Sequence, residues 1–134
     1  MKIFVDTSGW VALFNRKDKC YLEAVKLWNA LSKEKAYIYT TNYIIDETIT
    51  LIRRRAGFQI SVKTGDSLFE SRTIKKITIT QAIEKSTWKI YKKFSDKEFS
   101  FTDCTSFVVM EENKIDAAFA LDKNFVQYGF KVLP

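Results

Sequence analysis

Short runs of β-favouring residues alternate along this chain with segments whose apolar residues recur at helical spacing. The predicted strands cover residues 2–5, 36–40, 72–79, 115–121 and 130–133. The predicted helices cover residues 7–14, 19–32, 42–56, 58–69 and 81–94, and a last one begins at residue 103. Because strands that alternate with helices form right-handed βαβ units, the pattern predicts an α/β fold with a central, mostly parallel β-sheet flanked on both faces by α-helices.

Particular capping residues can be assigned to three of these helices. Thr7 or Ser8 is expected to cap the first helix, Asn42 the third, and Thr102 the helix that follows the polar segment 95–101. That polar segment is predicted to be a loop.

The chain has a length and composition typical of one globular domain. It holds 134 residues, of which 46% are hydrophobic, and a single Pro leaves no linker-like stretch, so residues 1–134 are expected to form a single domain. Two cysteines are too few for a disulfide framework. There is no apolar run of membrane-spanning length and no signal-peptide pattern, so a cytoplasmic location is expected and no membrane partner.

Histidine is absent from the sequence. This excludes Ser-His-Asp and Cys-His catalysis, zinc sites that need imidazole, and general acid–base chemistry by histidine. Any enzymatic activity must therefore use carboxylates, hydroxyls, lysines or a bound metal ion.

The chain is basic, with 22 Lys and Arg residues against 16 Asp and Glu and a formal net charge of +6. Such an excess is compatible with a polyanionic partner such as nucleic acid. The run Arg53, Arg54 and Arg55 can contact RNA phosphates, although charge runs more often form a solvated face.

Carboxylates stand at the ends of two predicted strands. Asp6 ends the first strand and Asp122 ends the fourth, which places both at the carboxyl edge of a parallel sheet, where such folds bind their ligands. Glu47 lies beside the apolar stripe of the third helix, and Asp103 opens the helix that leads into the fourth strand. We therefore expect Asp6, Glu47, Asp103 and Asp122 to converge in one pocket.

Four converging carboxylates cannot all stay ionised without a cation. Mg²⁺ or Mn²⁺ is the natural counter-charge for an all-oxygen site, and such a site suits phosphodiester hydrolysis by a metal-activated water. Each acid also has a purely structural interpretation: Asp6 as a cap or turn residue, Asp103 as a charge at a helix N-terminus, Glu47 as a solvated edge residue, and Asp122 as a turn former.

Four segments resemble motifs of the PIN-domain family, and within it of the VapC-type toxin ribonucleases. They are VDTSGW at residues 5–10, the pair Asp46 and Glu47, SFTDC at residues 100–104, and ALDKNF at residues 120–125. Their order and spacing extend over essentially the whole chain.

The resemblance implies a sheet with strand order 3-2-1-4-5, a Mg²⁺ or Mn²⁺ site and endoribonuclease activity. It also implies an RNA substrate, a homodimer and a small antitoxin partner of a type II toxin–antitoxin pair. The apolar neighbours of Glu47 favour it over Asp46 as the inward-facing acid of the third helix. The resemblance assigns catalysis and metal binding to Asp6, Glu47, Asp103 and Asp122, with supporting hydroxyls from Thr7, Ser8 and Thr102.

Other functions stay open at this point. A catalytically silent PIN-like module that binds RNA or protein is one, and a housekeeping RNA-processing nuclease is another. A phosphoryl-transfer fold of haloacid-dehalogenase type also opens with a strand and an Asp, but it needs a second Asp where this chain has Ser8. A receiver domain needs paired acids after the first strand, and the chain has none there.

Residues 28–55 contain more large apolar residues than one inner helix face and one strand need. We expect some of them to remain exposed as a groove or dimer patch that takes an antitoxin helix. The residues in question are Trp28, Tyr37, Tyr39, Tyr43, Ile44, Ile45 and Ile49.

Overall fold

Strands and helices alternate through all 134 residues that the computed structural model describes. The strands are β1 (Lys2–Val5), β2 (Tyr37–Thr41), β3 (Ile74–Ile77), β4 (Ala117–Phe119) and β5 (Val132–Leu133). The helices are α1 (Thr7–Phe14), α2 (Tyr21–Lys33), α3 (Asn42–Ala56), α4 (Phe58–Glu70), α5 (Gln81–Tyr91), α6 (Phe101–Glu112) and α7 (Asn124–Tyr128).

The five strands form one all-parallel sheet in the order β3-β2-β1-β4-β5. β1 is the central strand, and its residues 3–5 are completely buried, as expected for a strand with helices on both faces. Phe4 is aligned with Tyr39 of β2, and Val5 with Phe119 of β4. The predicted fold class and strand order are thus confirmed, and β1 and β4 end side by side.

Aromatic side chains fill much of the core on both faces of the sheet. Trp10 of α1 packs against Trp28 of α2 with ring centroids 5.6 Å apart. On the other side, Phe107 of α6 packs edge to face against Phe125 at 5.1 Å and stacks on Tyr128 at 4.3 Å. These contacts join α1 to α2 and α6 to α7. No helix is both long and apolar enough to cross a membrane.

The helix caps differ from the prediction by one or two residues. Asp6, rather than Thr7 or Ser8, caps α1, with its side chain accepting from the Ser8 N–H. Thr41 caps α3. In each case the side chain of the residue just before the helix reaches the free N–H groups, and the predicted cap is already inside the first turn.

Asn42 and Ser100 also have roles that differ from the prediction. The Asn42 side-chain oxygen accepts from the Ile79 N–H at 2.7 Å, so it ties α3 to the segment after β3 instead of capping its own helix. Ser100, rather than Thr102, caps α6, which begins inside the predicted polar loop. The short helix α7 was not predicted, and β3 is half as long as the predicted strand.

The prediction that residues 28–55 expose an apolar groove or patch is wrong. Only Tyr37 of that set is strongly exposed, at 67%. Tyr39, Ile44 and Ile45 are buried in the core, while the others are half-buried against neighbouring helices. The exposed large apolar side chains lie mainly on α4 and α5 instead: Phe58, Val62, Phe69, Trp88 and Tyr91.

Candidate active site

A cleft of about 810 Å³ opens at the carboxyl edge of the sheet. Asp6, Glu47, Asp103 and Asp122 all line it, so the structure brings the four predicted acids together. Their catalytic and metal-binding roles stay predictions. Two further acids, two arginines and several hydroxyl or amide side chains complete the polar lining: Asp46, Glu98, Arg54, Arg55, Thr7, Ser8, Tyr43, Thr50, Ser100, Thr102 and Asn124.

Asp6 is the most buried of the four acids, with 3% of its surface exposed. Its backbone N–H donates to the Phe119 carbonyl at 3.0 Å, which continues the β1–β4 ladder to the last residue before α1. Its Oδ2 accepts from the Ser8 hydroxyl at 2.9 Å and from the Ser8 N–H at 3.4 Å. The end of the central strand therefore holds this carboxyl in one position.

The environment of Asp6 disfavours its ionised form. Burial first, and then the carboxylates of Asp122 and Asp103, raise the pKa of Asp6 to about 8, although hydrogen bonds from Ser8 offset part of this rise. A carboxyl in this state is neutral near pH 7 unless a cation supplies compensating charge. Strongly raised pKa values caused by burial and like charges are typical of functional sites.

Glu47 and Asp46 both line the cleft, but only Glu47 is held there by a side-chain hydrogen bond. The Thr7 hydroxyl donates to Glu47 Oε1 and links the first turn of α1 to α3 across the cleft. Asp46 lies on the exposed side of α3. The inward-facing acid of this helix is thus Glu47, the residue that its apolar neighbours favoured in the sequence.

Asp103 is held by the first turn of α6. It forms a reciprocal capping box with Ser100: its Oδ2 accepts from the Ser100 N–H at 3.0 Å, and its own N–H donates to Ser100 Oγ at 2.9 Å. The same Oδ2 accepts from Asn124 Nδ2 at 2.8 Å. Burial raises the pKa of Asp103 above its usual value despite these hydrogen bonds.

Asn124 is a site residue to which the sequence analysis gave no role. Its backbone N–H donates to Asp122 Oδ1 at 3.0 Å, and its side-chain amide donates to Asp103. It therefore joins the acid after β4 to the acid of α6. The bond from the Asn124 N–H to the Asp122 carboxylate is an Asx turn, so the interpretation of Asp122 as a turn former was the signal in the sequence for this half of the link.

The hydroxyl groups have distinct positions. Ser8 Oγ donates to Asp6 and accepts from the Leu121 N–H at 3.0 Å, so it joins the end of β1 to the segment after β4. Thr7 holds Glu47. Thr102 lines the cleft on the first turn of α6, one residue before Asp103.

The three consecutive arginines point to different places. Arg54 and Arg55 line the acidic cleft, whereas the Arg53 guanidinium lies 4.9 Å from the centroid of the Phe58 ring and outside the cleft lining. Arg55 also lines a neighbouring groove of about 560 Å³ that contains three more basic side chains. The sequence analysis missed those three residues, which are Arg16, Lys17 and Lys63.

The donor set of the cleft suits a hard divalent cation. All of its candidate ligands are oxygen atoms, and the carboxylates of Asp122 and Asp103 are close enough to contribute to the raised pKa of Asp6. No three Cys, Asp or Glu side chains are close enough to enclose an ion by themselves. Mg²⁺ commonly binds through one or two carboxylates and keeps several waters, so an open arrangement of this kind fits it.

Comparisons with known proteins identify the family of the chain. The family model described as the PIN domain matches residues 3–131. The chain is 34% identical over 128 residues to the 23S rRNA-specific endonuclease VapC20 of Mycobacterium tuberculosis, covering 96% of this chain and 95% of that protein. It is 27% identical over 117 residues to the VapC ribonuclease of Archaeoglobus fulgidus, covering 86% of this chain and 74% of that protein.

Two solved structures resemble the fold closely. The crystal structure of M. tuberculosis VapC20, described as a Sarcin-Ricin loop cleaving toxin, superposes with a TM-score of 0.88 over 96% of this chain and 95% of that one, at 34% identity. VapBC2 from Rickettsia felis, solved bound to a DNA fragment from its promoter, gives a TM-score of 0.68 over 99% of this chain and 98% of that one. The latter shares 10% identity and supports the fold alone.

Proposed function

Because the chain belongs to the PIN-domain family, as a VapC-type member, we propose that it is an endoribonuclease that hydrolyses RNA phosphodiester bonds with a metal-activated water. One observation carries the proposal. Asp6 lies at the end of the central strand, where burial first, and then the carboxylates of Asp122 and Asp103, raise its pKa to about 8. Near pH 7 such a carboxyl is mostly neutral, and a bound cation would favour its ionised form.

The proposed cofactor is Mg²⁺ or Mn²⁺, bound among Asp6, Glu47, Asp103 and Asp122, directly by one or two of these carboxylates and through its waters by the others. When bound, the ion lowers the pKa of a coordinated water and offsets the negative charge that develops on the phosphate oxygens. Ser8 fixes the Asp6 carboxyl through two hydrogen bonds, and Thr7 fixes Glu47.

RNA fits the charges around the acids. Arg54 and Arg55 line the cleft, and their proposed role is to bind phosphates of the RNA. Arg16, Lys17 and Lys63 extend that basic surface beyond Arg55. Ribosomal RNA is the first substrate to test, since the M. tuberculosis relative is named a 23S rRNA-specific endonuclease.

We further propose that the protein is the toxin of a type II toxin–antitoxin pair and forms a homodimer. The proposal rests on its similarity to VapC-type proteins. Expression of the chain alone should arrest growth, and coexpression of the reading frame next to its gene should relieve the arrest. Growth unaffected by expression of an RNA-cleaving chain would favour a housekeeping nuclease. Light scattering of the purified protein tests the dimer.

A catalytically silent module is the second candidate. It would be favoured by the loss of one acid of the set, but all four are present and line the same cleft. The geometry therefore favours the enzyme.

Chelation tests the nuclease directly. We expect the purified protein to cleave RNA, to lose this activity in EDTA, and to regain it when Mg²⁺ or Mn²⁺ is added in excess. Cleavage that persists in EDTA after extensive dialysis would contradict the metal-dependent mechanism. Stoichiometric RNA binding without cleavage in any metal would instead support the silent module.

A further inference from the structure

A groove of about 720 Å³ runs along α5 and the first turn of α6, beside the acidic cleft. Trp88 and Phe101 line the groove, and Tyr91 packs against both rings; we call this cluster of three aromatic side chains the aromatic platform. We propose that the aromatic platform stacks unpaired bases of an RNA strand that extends out of the cleft. This inference rests on the proposed function and adds a binding site for single-stranded nucleotides to it.

The rings are arranged as a surface rather than as core. Trp88 and Tyr91 are 51% and 40% exposed, and their ring planes are within 13° of parallel at a centroid distance of 5.6 Å. Phe101 braces both rings, at 6.4 Å from Trp88 and 6.2 Å from Tyr91. A braced, half-exposed indole offers a flat face on which a base can stack at little cost in side-chain entropy.

Positive charge surrounds these rings. Lys85, Lys89 and Lys92 line the groove, and the Lys92 ammonium lies 5.9 Å from the centroid of the Trp88 ring. None of the three is paired, because the only ion pair of the chain joins Lys97 to Asp96. Free ammonium groups beside an exposed aromatic face are the combination that binds the backbone and bases of single strands.

The platform is continuous with the acidic cleft. Ser100 and Thr102 line the cleft, and Phe101 between them lines the groove. A second link crosses from α3 to α5, where the Tyr43 hydroxyl at the cleft donates to the Glu84 carboxylate at the groove. A strand held at the acids therefore reaches the platform within the first turn of α6.

The charge of the groove favours RNA over a second copy of this chain as the ligand of the aromatic platform. In a two-fold symmetric dimer the same patch meets itself, which would bring two sets of Lys85, Lys89 and Lys92 together with only one carboxylate, Glu84, from each copy. Like charges at an interface are unfavourable, whereas a polyanion neutralises them. The charges of the patch thus favour RNA.

Fluorescence of Trp88 provides the test, and it does not need cleavage. Trp10 is buried and Trp28 is half-buried against it, so Trp88 is the tryptophan that a ligand in solution reaches. The full-length protein in EDTA would be titrated with a single-stranded RNA oligomer and with an abasic strand of equal length, which has phosphates but no bases.

We expect the RNA to quench fluorescence and to bind more tightly than the abasic strand. Trp88→Leu should weaken RNA binding at least about fivefold, the low end for loss of one base–aromatic stack, and leave binding of the abasic strand unchanged, as followed by anisotropy of a labelled strand. Lys89→Gln should weaken both strands alike. Phe69→Leu, which removes another exposed ring, on α4, should change neither.

Three results would overturn the proposal: equal affinity for the RNA and the abasic strand, an unchanged RNA affinity in Trp88→Leu, or a parent dimer that Trp88→Leu converts to a monomer. The last result would make the platform a protein interface. Failure of the proposed nuclease function gives a different result, since stacking would then be observed in a protein that cleaves no RNA in any metal.

Discussion

Asp6 lies at the end of the central strand, close to the carboxylates of Asp103 and Asp122. Replacement by Asn keeps the shape of the side chain and removes its charge. We expect Asp6→Asn to lower RNA cleavage by at least about 100-fold, the size of effect seen when one preorganised electrostatic group is lost. The measurement is a single-turnover cleavage rate in excess Mg²⁺. Asp66→Asn, an exposed carboxylate of α4 outside the cleft, is the matched control and should cleave like the parent.

The raised pKa of Asp6 also makes stability depend on pH. Its pKa is 3.8 in the unfolded chain and about 8 in the folded protein, so the folded protein binds the extra proton between these values. The free energy of unfolding should therefore fall as pH rises from about 4 to about 8. Urea unfolding in EDTA at pH 5 and pH 8 should show this loss in the parent and a smaller loss in Asp6→Asn. Excess Mg²⁺ should reduce the loss in the parent, and parallel pH dependence of the two proteins in EDTA would contradict the assignment.

Asn124 positions two acids without being one. Asn124→Ala removes the amide that donates to Asp103, which leaves that carboxylate fixed by Ser100 alone. Loss of a group that orients a metal ligand commonly costs about 10–100-fold in metal affinity or activity, and we expect a loss of that size. Titration of activity with Mg²⁺ should show a higher metal requirement. Asn113→Ala is the control, since that amide donates to the Val109 carbonyl at the far end of α6.

Close packing of α1 on the sheet depends on Gly9. A Cβ at this position would lie 2.8 Å from the Phe119 carbonyl oxygen, which is backbone that cannot move aside cheaply. We expect Gly9→Ala to lower the free energy of unfolding by about 1–3 kcal/mol, as overpacking does. It should also lower activity, because that same carbonyl accepts from the Asp6 N–H.

Gly65 in α4 is the matched control for this substitution. A Cβ there meets only the flexible end of Ile49, at 3.3 Å, and Ala gains about 1 kcal/mol of helix propensity over Gly. Gly65→Ala should therefore be neutral or stabilising in chemical unfolding. Equal destabilisation of the two variants would contradict the role of the α1–β4 contact.

Most helices and strands were predicted correctly from the local spacing of apolar residues. The errors lie where a contact between distant residues determines the role of a side chain. β1 and α3 were predicted to within one residue because their apolar residues have a clear period. For Asp6 the site role and the cap were treated as alternatives, whereas its carboxyl does both, lining the cleft and accepting from Ser8. Asn42 was missed as a tie to Ile79 because that bond joins residues 37 apart in sequence.

At the scale of the whole molecule, basic residues beside the acidic cleft should determine how RNA binding depends on salt. Each phosphate contact to a single strand contributes about 0.7 to the slope of log affinity against log salt. Replacing Lys17 and Lys63 by Gln should therefore reduce the magnitude of that slope by about 1.4. Lys33 and Lys131 lie at the opposite edge of the sheet, where the strands begin, and the same replacement there should leave the slope unchanged.

The four acids of the cleft were predicted from their positions at strand ends and beside an apolar helix face. The rule that parallel strands end at one edge is enough to place Asp6 and Asp122 together from the sequence. It did not reach Arg16 and Lys63, which come from separate segments and meet only through the packing of α4 against the loop after α1. The same rule did not identify the exposed apolar side chains of α4 and α5, because the packing of all the helices determines which helix faces stay exposed.

The central position of β1 has a consequence for the synthesis of the protein on the ribosome. Asp6 is made early, but Asp122, which follows the neighbouring strand β4, is made 116 residues later. At a synthesis rate of about 5–20 residues per second, the nascent chain spends roughly 6 to 23 seconds without the strand that completes the acidic cleft. A ribosome therefore makes most of this chain before the chain possesses the site with which to cut RNA.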